Sequence, residues 1–138
     1  MLRMRLFAEG MIFIALFVVN DKFKRPPRPG NSPLVSGIAP GANGNTRPLS
    51  ASQLRQLEAW LRLHQEGWRR NIIPASNPSY MVQVEHSDGT TTQVYLFSSA
   101  RSAIYFAKHG EGRRSEAGWL HPPAMEIDGL IALLREQA

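Results

Sequence analysis

The stretch that most constrains how this chain can fold is 80–97, where the β-rich runs Tyr80-Met-Val-Gln-Val-Glu-His86 and Thr91-Thr-Gln-Val-Tyr-Leu-Phe97 flank Asp88-Gly89. An Asp-Gly pair tolerates positive φ at both positions, as a two-residue type I′ turn requires, and the twist of that turn matches the twist of its strands. The register that follows pairs Tyr80 with Phe97, Val82 with Tyr95 and Val84 with Gln93, and these six form the expected core face. Met81, Gln83 and Glu85 then share the opposite face with Leu96, Val94 and Thr92. A lone hairpin is only marginally stable in water, so the flanking segments must extend and cover it.

A helix is expected from Ser50 to about Glu66. Ser50 and Gln53 have the spacing of a capping box, and Leu49 is placed to staple onto Leu54. Leu54, Leu57, Trp60, Leu61 and His64 follow the spacing of one face. Gly67 fits the left-handed residue past a helix end, with Trp68 then reaching Leu63. Residues 69–79 read as a loop in which Ile72 and Ile73 plug onto the core. Residues 98–108 fit either a helix, through Ala100, Ala103, Ile104 and Ala107, or a third strand over Ala103–Lys108 with Tyr105 and Ala107 on one face, and the strand is favoured; Ala117–Leu120 reads as a fourth. Pro122-Pro123 introduce a last helix whose buried face is Ile127, Leu130, Ile131 and Leu134. Gly129 costs that helix about 1 kcal/mol relative to alanine, which points to close packing against the sheet. The expected fold class is α+β: a two-layer domain over 49–138, with a three- or four-stranded antiparallel sheet packed on an N-terminal and a C-terminal helix.

The first 48 residues read differently. Residues 10–19 are uncharged and almost wholly apolar, and Arg3 and Arg5 precede them. The run is short for a spanning helix, which needs about 20 residues, but fits the apolar region of a signal sequence, about 7 to 15. No small-residue cleavage pattern follows Val19, so residues 1–24 are expected to be a retained signal anchor that meets the membrane through residues 6–19. The competing reading makes residues 1–19 a soluble β-hairpin that completes the fold. Residues 25–48 hold six of the ten prolines and four of the eleven glycines, the composition of a linker.

The formal net charge of +5 is not spread evenly. Residues 1–48 hold seven of the sixteen Lys and Arg against two acids, which leaves nine of each sign over 49–138. A nucleic-acid partner is therefore not expected, because phosphate neutralisation calls for a basic patch on the folded part. The absence of cysteine excludes disulfides, thiolate metal sites and thiol nucleophiles.

No catalytic, cofactor-binding or metal-ligating set is visible. His64, His86, His109 and His121 fall in four separate elements, with His64 expected to pack and His86 to be a solvated strand end. Glu85 and His86 point to opposite faces of a strand. Ser98, Ser99 and Ser102 lack a nucleophile elbow, and Gly110-Glu-Gly-Arg-Arg114 lacks the ending of a phosphate loop. The one cluster of aromatic and basic residues is Trp68, Arg69 and Arg70, the candidate interaction surface. The expected function is that of a non-enzymatic, membrane-tethered interaction or accessory domain with a protein partner. A small soluble binding or regulatory protein is the alternative. Signal-like length and position favour export with retention at the inner membrane, whereas Lys22, Lys24, Arg25 and Arg28 after the apolar run favour a cytoplasmic domain.

Overall fold

The computed structural model describes residues 26–70, 77–98, 102–110 and 115–136. Strands β1 (Leu34–Pro40) and β2 (Thr46–Pro48) precede helix α1 (Ala51–Leu63); β3 (Tyr80–His86), β4 (Thr91–Phe97), β5 (Ala103–His109) and β6 (Glu116–Leu120) follow, and α2 (Ala124–Arg135) ends the fold. All strand pairs are antiparallel, in one sheet of order β2-β1-β3-β4-β5-β6. The protein is α+β, but among the described residues the sheet has six strands where three or four were expected. The two additional strands come from the stretch assigned to the linker, so the fold begins well before Leu49.

Proline and glycine mark this stretch because it lies at a sheet edge. Pro40 and Pro48 occupy strand ends, where a missing N–H costs least. Leu34, Val35 and Ile38 are too few to signal a core strand. Instead β1 turns the small residues Gly37 and Ala39 inward, leaves Ile38 41% exposed, and gains its order by pairing with β3.

The 80–97 hairpin forms in a register one residue away from expectation. Tyr80 lies opposite Leu96, Val82 opposite Val94 and Val84 opposite Thr92. The His86 amide donates to the Thr90 carbonyl at 2.8 Å and the Gly89 amide to the His86 carbonyl at 3.1 Å, so the loop is Ser87-Asp88-Gly89. Only Gly89 takes positive φ, at 87°, the geometry of a three-residue loop closed by a left-handed glycine. Asp88 selects it by accepting from both the Thr90 amide (3.0 Å) and hydroxyl (2.5 Å). These bonds hold its carboxyl down at about 2. A one-residue slip exchanges the faces of a strand. Thr92, Val94 and Leu96 thus turn to the core, and Tyr95 and Phe97 to the other side.

One cluster joins Leu54, Leu57 and Leu61 of α1, and Ile127, Leu130, Ile131 and Leu134 of α2, to Val82, Val84, Val94, Leu96, Ile104 and Phe106 of the sheet. The capping box forms at 3.1 and 2.8 Å between Ser50 and Gln53. Helix α1 ends at Leu63, about three residues early. The cause is Trp68, which sits edge-on against Phe106 at 4.9 Å and donates Nε1–H to the His64 carbonyl, drawing the chain off the helix axis. Leu63 is left 82% exposed, away from the buried Trp68, and Gly67 holds its positive φ in the following bend.

Residues 26–33 cross the helix-side face as an arm. Pro27 lies on Gly118 of β6, so close that a Cβ there would meet its Cγ at 2.9 Å. The Gly30 carbonyl accepts from Gln65 at 2.9 Å, and the Pro33 carbonyl accepts from Ser87 at 2.8 Å. Among the described residues no helix is long and apolar enough to cross a membrane. The apolar run before Arg25, the expected plug Ile72-Ile73, Ser99 and residues 111–114 lie outside the described residues.

Candidate interaction surfaces

The three residues singled out in the sequence part company in the fold. Trp68 is 2% exposed and belongs to the core, so its ring takes no part in a surface. Arg69 exchanges two 2.9 Å backbone bonds with Trp119, which places it on the outer edge of β6, and Arg69 and Arg70 are both exposed. Alternation after Trp68 could not reveal this edge, because the pairing spans fifty residues.

The histidines do not converge. His86 is 3% exposed, contrary to its expected place in solvent. Its Nε2 lies 2.6 Å from the Thr92 hydroxyl, and its Nδ1 3.1 Å from the Ser32 carbonyl and 3.2 Å from the Ser32 hydroxyl. Burial lowers its pKa, and the Ser32 carbonyl only partly opposes the shift. The arm buries this ring, and a hairpin read without the arm leaves it open.

His64 stacks on Trp60 with centroids 3.8 Å apart. Its Nε2 and the Trp60 indole N–H both lie 2.9 Å from Glu126 Oε1, which fastens the end of α1 to the start of α2. The shallow depression beside His86 is lined by Ser32, Leu34, Glu58 and Arg62. Glu58 there accepts from the Leu34 amide at 2.7 Å and pairs with Arg62 at 3.2 Å. Ser98 bonds to Ser79, and Ser102 to the Pro122 carbonyl. Among the described residues no group of three or more acidic or histidine side chains is arranged to hold a metal ion.

The sheet face opposite the helices carries a second cluster, Tyr95, Phe97, Tyr105 and Trp119, with ring centroids 4.5 to 5.6 Å apart. These side chains are only 3 to 8% exposed, although among the described residues the cluster is made of sheet residues alone. Trp119 Nε1 is buried with no hydrogen-bond partner among the described residues, and burial raises the Tyr105 phenol above its ordinary pKa. The corrected register brings Tyr95 and Phe97 to this face, which is why the sequence assigned them to the other core.

Comparison of the chain with protein-family models, with curated proteins and with solved structures found no match.

Proposed function

We propose that this chain is a non-enzymatic interaction or accessory domain held at a membrane by its N-terminal apolar run, with the domain outside the cytoplasm and a protein as its partner. The supporting observation is where the chain joins the fold. Pro27 is seated on β6 eight residues after Val19, so a leash of seven residues would join the apolar run to the two-layer domain beside β6. The leash is far shorter than a linker reaching to Pro48 and holds the domain close to the surface. Counted from Pro26, the fold carries eleven basic and nine acidic residues, a balance that still gives no strong case for nucleic acid.

A second reading has its own support. Tyr105 and Trp119 are covered although among the described residues their cluster contains sheet residues alone, and residues 1–19 laid on that face would complete a soluble fold. Fractionation of cells expressing the full chain separates the two. Membrane recovery that survives high salt and carbonate supports the tether, and recovery in the soluble fraction overturns it. Protease added to osmotically opened cells then reads orientation: release of the domain supports export, and protection until the inner membrane is lysed puts it in the cytoplasm.

A further inference from the structure

We infer that the outer face of the two helices is a docking surface for a second copy of this chain, so that two domains pair through their helix layers. The inference holds whether or not the chain is tethered. A surface helix ordinarily turns polar residues to water. Over 124–132, however, α2 exposes Ala124, Met125, Gly129 and Ala132, and its only exposed charge is Asp128. Met125 is 85% exposed and Leu63, at the end of α1, 82%, more than any other large apolar side chain among the described residues.

Register and charge select a second copy as the occupant. Gln53 donates to the Leu133 and Glu136 carbonyls, and Trp60 and His64 meet Glu126, so α1 and α2 run antiparallel with Leu63 level with Met125 and Ala59 level with Gly129. A two-fold axis along the helix pair, midway between them, lays α1 of one copy on α2 of the other in that same register. Leu63 then covers Met125 of the second copy, and Ala59 lies over Gly129, where small residues let the helices approach. At about 3.6 residues per turn, Arg55 and Arg62 share the flank of α1 away from α2, and Asp128 lies on the flank of α2 away from α1. The same axis sets Asp128 between Arg55 and Arg62 of the second copy. Arg62 already pairs with Glu58 at 3.2 Å, but Arg55 and Asp128 make no ion pair among the described residues. Arg135, the cation that would oppose Arg55, is turned over the Tyr80 ring at 5.5 Å. Each contact is made twice, as an isologous interface requires. Helices of 13 and 12 residues side by side present about 400 Å² in projection. Side-chain relief brings the two copies together to about 1,000 Å², the size of a weak but specific interface.

The chain has no cysteine, so a single probe can be introduced cleanly. The full chain is prepared as Val35→Cys, on β1 and outside this surface, labelled with a donor or an acceptor fluorophore, and mixed in mild detergent. One charge-reversed chain adds Asp128→Arg, the other Arg55→Glu with Arg62→Glu, and each is checked for native circular dichroism. Expected is energy transfer that rises with protein through the micromolar range. Its association constant should fall by about ten-fold or more in either reversed chain alone. Mixing the two reversed chains should restore it, because their charges are complementary at both contacts. Leu63→Ser with Met125→Ser, at exposed positions that the fold does not need, should lose transfer as well. Transfer unchanged by these substitutions overturns the inference and gives association to another surface, such as residues 1–19. A loss that the mixture does not restore overturns the paired register. No transfer at any concentration overturns the inference and leaves the helix face to a different protein.

Discussion

His86 Nε2 and Thr92 Oγ1 lie 2.6 Å apart across the 80–97 hairpin, on the side of the sheet that the arm and α1 cover. Desolvation, helped by the Lys108 charge, lowers the pKa of the ring and outweighs the opposing effects of Ser32, Asp88 and Glu58. Above the ordinary value of 6.5 the imidazole is neutral in both folded and unfolded chains and adds no pH dependence. Below it the unfolded chain takes up a proton that the folded chain resists, so stability falls as pH drops. Urea midpoints at pH 7.5 and pH 5.5 should show a larger acid loss for the natural chain than for His86→Gln, and Asp88 titrates too low to contribute to that difference. Equal losses would mean that the ring is solvated.

His86→Ala, at neutral pH, should cost about 1 to 3 kcal/mol, because it leaves the Thr92 hydroxyl buried without its partner. An exposed imidazole would be lost at almost no cost. Chemical denaturation of the two chains reads the difference.

Gln53 has two tasks. Its Oε1 closes the capping box on Ser50, while its Nε2 donates to the Leu133 carbonyl at 2.9 Å and the Glu136 carbonyl at 2.6 Å, satisfying the end of α2. Arg47 and Tyr80 reach the neighbouring Leu134 carbonyl. A glutamate suits a capping box as well as glutamine does, but here it removes a donor and brings a carboxylate against carbonyl oxygens. Gln53→Glu should therefore destabilise the protein by more than Gln53→Ala, by about 1 kcal/mol or more at neutral pH. The reverse order in thermal unfolding would show that only the cap matters.

Gly129 is exposed on α2, and a Cβ added there meets none of the described residues within 4 Å. The close packing against the sheet that its presence suggested is not found among the described residues. Gly129→Ala should raise stability by about 0.5 to 1 kcal/mol through helix propensity alone, measurable as a higher denaturation midpoint. A loss would place a neighbour over that turn.

What the sequence discloses is local. The capping box at Ser50, the strand at Ala103 and the buried stripe of α2 depend on neighbours within a turn or two, and each forms as read. The hairpin was legible as a hairpin but not in register. Asp-Gly serves both a two-residue and a three-residue loop, and the choice turned on Thr90 closing onto Asp88. β1 was hidden because its inward residues are Gly37 and Ala39, whose burial leaves little apolar signal. The surface residues fared similarly: Trp68 beside two arginines looks like a binding patch until Phe106, nearly forty positions later, claims its ring. Nothing near Arg69 in sequence says that it pairs with Trp119.

The seating of residues 26–48 on the sheet is tested most directly by limited thermolysin digestion of the folded full chain, followed by N-terminal sequencing of the resistant fragment. Thermolysin cuts before large apolar residues, and Phe23, Leu34, Val35, Ile38 and Leu49 offer it sites on both sides of the arm. A fragment beginning no later than Phe23, with β1 and β2 retained, is expected. A fragment beginning at Leu34, Val35, Ile38 or Leu49 would contradict the six-stranded sheet and return this stretch to a linker.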